Sequence, residues 1–153
     1  MLYRLAIAFG VAKLFASGLL LTSFTNFAPT ALAEVKFSNV NPGVIETGGN
    51  MKVLESVVPA NINVNVPPDT TAQITVLSPN LISAPSEDPG GTKRIGFLKF
   101  GSNNLSSDGN NATATLPAGD TNLEAGLRVE RPVSFTPGTY NYAVNLSVTI
   151  TPQ

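Results

Sequence analysis

Residues 136–150 read TPGTYNYAVNLSVTI, and this stretch decides the fold class of the chain. After the Pro137-Gly138 turn, six apolar residues occupy every second position, with polar or small residues between them. A period of two places residues on one face of a β-strand, whereas the same residues would be scattered around a helix. The pattern therefore predicts a strand with one face buried against a second sheet. The six residues are Tyr140, Tyr142, Val144, Leu146, Val148 and Ile150.

Shorter runs of the same kind precede this strand, and Gly, Pro, Asn or Asp separate them. Polar loops are expected at residues 79–92 and 101–111, and no segment after residue 34 has a helical period. Seven or eight short strands with regular turn signals are typical of one all-β domain, an immunoglobulin-like antiparallel β-sandwich. The predicted strands are residues 35–40, 51–58, 61–66, 72–77, 93–100, 112–116, 123–129 and 140–150.

The first 33 residues have the layout of a secretory signal peptide. Arg4 supplies positive charge, residues 14–21 are apolar, and the segment ends in the small-residue motif Ala31-Leu32-Ala33. Lys13 splits the apolar residues into two runs that are each too short to cross a bilayer, which argues against an uncleaved membrane anchor. We therefore expect residues 1–33 to be removed and the mature chain to begin at Glu34, exported and without a transmembrane anchor.

The predicted mature domain, residues 34–153, has a composition that disfavours several functional classes. It carries seven basic and ten acidic side chains, a net charge of −3, with no basic run, which argues against a nucleic-acid partner. Without cysteine there is no disulfide scaffold, and without histidine the commonest general base and metal ligand are missing. The turn Asp108-Gly109 has too little charge for a tight calcium site. We expect no metal and no cofactor.

Pairs of carboxylates are the catalytic chemistry that remains. Glu87 and Asp88 lie in a proline-rich segment and are interpreted as solvated turn residues. Glu124 and Glu130 are an even number of residues apart on one predicted strand, with Arg128 between them on the same face, which indicates surface charge pairing. We therefore expect no catalytic residues and no enzymatic activity.

Residues 131–151 resemble the final strand of bacterial chaperone–usher pilus subunits, especially the cysteine-free pilins and the spore-coat-protein-U-like group. The resemblance lies in Pro137-Gly138-Thr139-Tyr140, followed by alternating residues almost to the chain end. The signal-peptide layout and the length of the mature chain agree with it. This chain differs from many pilins because it has no cysteine and has Pro152 at the penultimate position.

The resemblance implies an incomplete sandwich that lacks one strand. A groove would then lie beside the final strand, lined by the six apolar residues of residues 140–150. A periplasmic chaperone would fill it first, and the N-terminal extension of the next subunit would replace the chaperone at the outer-membrane usher. Val35 and Phe37, in the segment 34–41, would be the donor residues. The protein would pass through the periplasm to the cell surface, with copies of itself or related subunits as partners.

Two functions follow from these expectations. The first is a structural subunit of a surface fibre or coat that assembles by β-strand donation. The second is a complete secreted immunoglobulin-like sandwich that binds a ligand or surface partner as a monomer. The strand edge beside residues 140–150 discriminates between them, because it is open in the first case and covered by the same chain in the second.

Processing is the first testable expectation. The Ala31-Leu32-Ala33 motif predicts that N-terminal sequencing of the exported protein begins at Glu34. An exported chain that retains residues 14–21 would show that the motif is not used.

Overall fold

The computed structural model describes residues 2–10 and 34–152, and all regular structure in them is β-strand. Residues 11–33, which include the expected cleavage motif, lie outside the described residues. No helix of the described part is long and apolar enough to cross a membrane. The strands are β1 (Leu2–Gly10), β2 (Lys36–Asn41), β3 (Gly43–Thr47), β4 (Val53–Val58), β5 (Ala60–Val66), β6 (Thr70–Ser83), β7 (Lys93–Phe100), β8 (Asn103–Ser106), β9 (Thr113–Leu116), β10 (Gly119–Glu130) and β11 (Asn141–Pro152).

The all-β prediction is confirmed, and the differences from the predicted strands have local causes. β6 continues through Pro79, which lies where the pairing with β11 shifts register, and a bulge is one of the few places where a strand tolerates proline. β8 lies inside the predicted loop 101–111 because β7 and β8 form a hairpin around Gly101, whose φ is +52°. Leu105 of β8 is buried in the core.

Proline residues divide two long strands of the sheet into separate elements. β2 pairs with β5, and β3 pairs with β4. β2 and β3 are thus two halves of one long strand, which pairs from Lys36 opposite Asn65 to Thr47 opposite Leu54. Pro42 interrupts the first long strand and Pro59 interrupts the second, since proline cannot donate to the ladder. The sequence prediction missed β3, which follows Pro42 directly.

The strands pair in the order β2-β5-β10-β4-β3-β1-β11-β6-β9, and β7 pairs with β10 and β8. Every described pair is antiparallel except β1 with β3. Buried side chains from both ends of this order belong to one hydrophobic cluster, including Val64 of β5 and Ile74 of β6. The arrangement is consistent with a β-sandwich around a single core.

Gly96 of β7 lies at a close approach to β6. A Cβ atom at this position would lie 2.8 Å from the backbone oxygen of Leu77 and 3.3 Å from a methyl group of Val144. No side chain therefore fits between the backbones here. This contact holds β11 and β6 against β7 and thereby positions the buried face of the last strand.

The inward face of β11 is buried as its sequence pattern predicts. Tyr142, Val144, Leu146 and Val148 are fully buried, Tyr140 is buried just before the strand, and Ile150 is partly buried at the end of the core. The intervening residues Asn145 and Ser147 are partly exposed. β11 therefore supplies a continuous part of the hydrophobic core.

Truncation of this face should be costly. Leu146→Ala should lower the free energy of unfolding by about 2–5 kcal/mol, because it leaves a cavity in a packed core. Ser147→Ala, at the adjacent position on the other face, should change it by less than about 0.5 kcal/mol. Urea melts of both variants measure the difference, and a larger effect for Ser147→Ala would contradict the register of β11.

Candidate strand-binding edge

The last strand, β11, is paired along both edges, and its two partners come from distant parts of the sequence. β6 pairs with one edge from Asn141 to Pro152. β1, from the beginning of the chain, pairs antiparallel with the other edge over nine consecutive positions, from Gly10 opposite Asn141 to Leu2 opposite Thr149. On its far side β1 meets β3 at only two positions. β1 thus lies between β3 and β11. We call the edge of β11 that it covers, residues 141–149, the β11 edge.

The register of β1 places apolar residues opposite the buried residues of β11. Residues directly opposite each other in an antiparallel pair lie on the same face of the sheet. Every second position of β1 therefore lies on the same face of the sheet as the core residues of β11. The four pairs are Tyr3 with Val148, Leu5 with Leu146, Ile7 with Val144, and Phe9 with Tyr142.

The structure distributes the six residues proposed for the acceptor groove in two groups. Tyr142, Val144, Leu146 and Val148 lie within the ladder that β1 forms with β11. Tyr140 precedes the first paired residue, and Ile150 follows the last one. β1, with its nine paired positions, therefore lies opposite four of the six proposed groove residues.

The proposed donor residues lie elsewhere, in their own domain. Val35 is only 3% exposed and belongs to the hydrophobic core. Phe37 pairs with Val64 of β5 and packs partly buried against the same core. β2, which contains Phe37, is the terminal strand of the sheet order and pairs with β5, not with β11.

The strands at the ends of the described sheet order have features that discourage further pairing. The pairing of β2 shifts register between Ser38 and Asn41, and Asn39 between them has a φ of +51°. β9 has only four residues. Irregular or short edge strands are poor templates for an added strand. The nine-residue β11 edge, by contrast, is regular throughout.

A buried polar cluster holds the beginning of β11. The side chain of Asp88 is only 2% exposed. It accepts hydrogen bonds from the Tyr142 hydroxyl at 2.7 Å, from Nε of Arg131 at 2.8 Å and from Nε of Arg94 at 2.6 Å. The interpretation of Asp88 as a solvated turn residue is therefore wrong, although its neighbour Glu87 is exposed.

Arg131 extends this cluster toward the residues that precede β11. Its guanidinium lies 4.2 Å from the centre of the Phe135 ring and 4.9 Å from that of Tyr140, both cation–π distances. The Tyr140 hydroxyl bonds to Thr136 at 2.8 Å. The loop that carries Asp88 is therefore fastened to the start of β11 by charge, hydrogen bonds and ring contacts together.

Gly138 allows this loop to approach. Its φ is +147°, and a Cβ atom there would lie 2.2 Å from Cγ of Pro85. The turn that the sequence predicted at Pro137-Gly138 thus packs against the proline-rich loop before β7. Only glycine satisfies both the backbone conformation and the close contact.

The cluster shifts the pKa values of its members. Burial alone would raise the pKa of Asp88, but the hydrogen bonds from Tyr142, Arg131 and Arg94 outweigh it and hold that pKa below its ordinary value. Burial, together with the hydrogen bond to the Asp88 carboxylate, raises the pKa of Tyr142 above its ordinary value. Asp88 is therefore charged and Tyr142 neutral near pH 7, as their hydrogen bond requires.

An open cavity of about 550 Å³ lies at one end of the β11 edge. Its lining includes Glu46 and Thr47, which follow the β3 residues that contact β1, and residues 135–140, which precede β11. Leu54 is also part of the lining. The cavity therefore lies beyond the position where β1 ends at Gly10.

Comparisons with protein-family models, with curated proteins and with solved structures find no match. In the described part of the chain, no three acidic side chains are grouped so that they could hold a metal ion. Glu130 and Arg128 form the expected surface ion pair at 2.7 Å, with Glu55 rather than Glu124 as the second acidic partner of Arg128. The β11 edge is therefore the candidate functional feature of the described residues.

The cluster predicts a pH-dependent stability. Asp88→Asn leaves buried Arg131 without its charge partner and should cost about 3–5 kcal/mol at pH 7. Because the pKa of Asp88 is lowered on folding, its contribution is present above the unfolded-state pKa and is lost as the pH falls through the folded-state value. The difference between wild type and variant should therefore shrink below about pH 4.

Urea melts at pH 7 and at pH 3 measure both effects. Glu87→Gln is the matched control, since this neighbouring side chain is exposed, and it should change stability by less than about 0.5 kcal/mol. Equal losses for the two variants at pH 7 would show that the Asp88 cluster adds nothing to stability.

Proposed function

We propose that this protein is a structural subunit of a bacterial surface fibre or coat, assembled by β-strand donation between subunits. Its fold would be an immunoglobulin-like sandwich that lacks one strand, the one beside β11. The observation that carries the proposal is the pairing of β1 with β11, because β1 belongs to the segment whose layout predicts removal on export. The mature chain would then have an unpaired β11 edge.

An empty β11 edge would be costly. Nine positions of β11 would lose their partner strand, and with it the hydrogen bonds of that ladder. The fully buried side chains of Tyr142, Val144, Leu146 and Val148 would lose the strand beside them. Strand addition answers both losses, since main-chain hydrogen bonds supply affinity and alternate side chains set the register.

The donor in this proposal is the N-terminal segment 34–41 of a neighbouring copy, with Val35 and Phe37 as its apolar residues. Within one chain this segment pairs with β5, so donation exchanges that pairing for the β11 edge of a neighbour. The exchange gives up the burial of Val35, worth about 1.5–3 kcal/mol, which the acceptor has to offset. Related subunits can supply the same kind of strand. A periplasmic chaperone and an outer-membrane usher would act before the subunit reaches the cell surface.

The alternative function is a complete secreted sandwich that binds a surface partner as a monomer. With residues 2–10 in place, β11 is paired on both edges within one chain. In this alternative the exported protein either retains β1 or is a stable monomer without it.

The experiment compares residues 34–153 with a self-complemented form. Since Leu2 lies opposite Thr149 near the end of β11, a copy of residues 2–10 fused behind Gln153 through a short glycine-rich linker would run in the direction of β1. Residues 34–153 alone should aggregate, polymerise or unfold readily. The fusion should be a monomer by light scattering, with a higher Tm, because its β11 edge is filled.

A fusion in which Leu5→Asp and Ile7→Asp change the added strand is the control. These positions lie opposite buried Leu146 and Val144, so the control should behave like residues 34–153 alone. A second fusion, carrying residues 34–40 behind Gln153 in a chain that starts at Val44, tests that segment as donor. If residues 34–153 form a monomer as stable as the first fusion, strand donation is wrong and the complete sandwich is favoured.

A further inference from the structure

We infer that Leu2–Gly10 is an internal cap of the β11 edge, so that removal of the leader is the step that makes the subunit competent to accept a strand. This inference rests on the proposed function and adds its regulation. The full-length chain is then closed to donors, and the mature chain is open.

The first support is the extent of pairing. β1 pairs with β11 at nine consecutive positions without a register shift. β2, which contains most of the segment proposed as donor, pairs with β5 at four positions and with a shift between Ser38 and Asn41. The ladder of β1 with β11 is thus longer and more regular than the ladder of β2 with β5.

The second support is the pattern of residues. Leu2–Gly10 has apolar residues at all four positions opposite the core face of β11, and alanine at two of the three positions between them. Residues 34–40 read EVKFSNV, with only Val35 and Phe37 in alternation before Asn39. The leader therefore matches the β11 edge better than the proposed donor does.

The third support is covalent connection. Residues 11–33 join β1 to the mature domain and can span up to about 80 Å when extended. A connected strand competes at a high effective concentration, whereas a donor from another copy has to bind from solution. A weaker donor in trans then cannot displace an intact leader, and only cleavage opens the edge.

The test compares hydrogen exchange in the full-length chain, made by cell-free translation without export, with exchange in residues 34–153. Alternate amides of residues 141–149 face β1 rather than β6, and we expect these to exchange at least about tenfold more slowly in the full-length chain. Leu5→Pro should abolish the difference, since proline cannot sit within a central strand. Leu20→Pro, which changes the leader outside residues 2–10, should leave the protection intact.

A second measurement covers the case in which Leu5→Pro prevents folding. A synthetic peptide of residues 2–10, added to residues 34–153, should restore slow exchange at residues 141–149. The full-length chain should also bind a fluorescent strand peptide of this sequence at least about tenfold more weakly than residues 34–153 do.

The outcomes separate the cap from the proposed function. Fast exchange in the full-length chain, with slow exchange in the self-complemented fusion, would overturn the cap and leave strand donation standing. Slow exchange in residues 34–153 that light scattering shows to be monomeric would overturn both. Protection of the full-length chain that disappears on dilution, together with dimers by light scattering, would overturn capping within one chain in favour of exchange between two.

Discussion

The pairing of β11 along both of its edges is the constraint on which this structure depends. β11 supplies four fully buried side chains to the core, and its backbone is paired with β1 along one edge and with β6 along the other. β6 provides one side from within the domain. β1 fills the other side, and it belongs to the N-terminal segment whose sequence predicts a signal peptide.

The Asp88 cluster secures the same strand in a different way. It consists of residues between 86 and 142, so none of its members belongs to the N-terminal segments. The loop before β7, the end of β10 and the start of β11 are joined through Arg131 and Tyr142. The start of β11 is therefore held by contacts that do not include β1.

The sequence predicts what depends on periodicity and misses what depends on distant contacts. The alternation from Tyr140 to Ile150 is enough to predict β11 and its buried face, and Lys93–Phe100 is predicted at its observed bounds because turn residues flank it. The sequence around Asp88, by contrast, contains prolines and a serine. Nothing in it indicates that Arg94, Arg131 and Tyr142 hydrogen-bond to the Asp88 carboxylate.

The resemblance of residues 131–151 to pilus subunits implied an acceptor groove beside the last strand. Four of its six residues lie in the ladder with β1, and acceptance of a strand from another copy stays a prediction. The sequence analysis did not predict β1. The apolar residues of the segment 1–33 were interpreted as an export signal, so their alternation in residues 2–10 was not taken to indicate a strand. Val35 and Phe37 pack in their own core, since residues 36–47 follow β5 and β4 as one interrupted strand.

The proposed donor segment and the proposed acceptor edge are different surfaces, and this has a consequence for symmetry. The donor segment includes β2, which pairs with β5, whereas the β11 edge consists of residues 141–149. An interface made from two different surfaces is heterologous, so it does not produce the closed two-fold dimer that a single self-complementary patch would give. Copies joined in this way form a ring if their rotation closes, and otherwise an open helical filament with a distinct leading and trailing end.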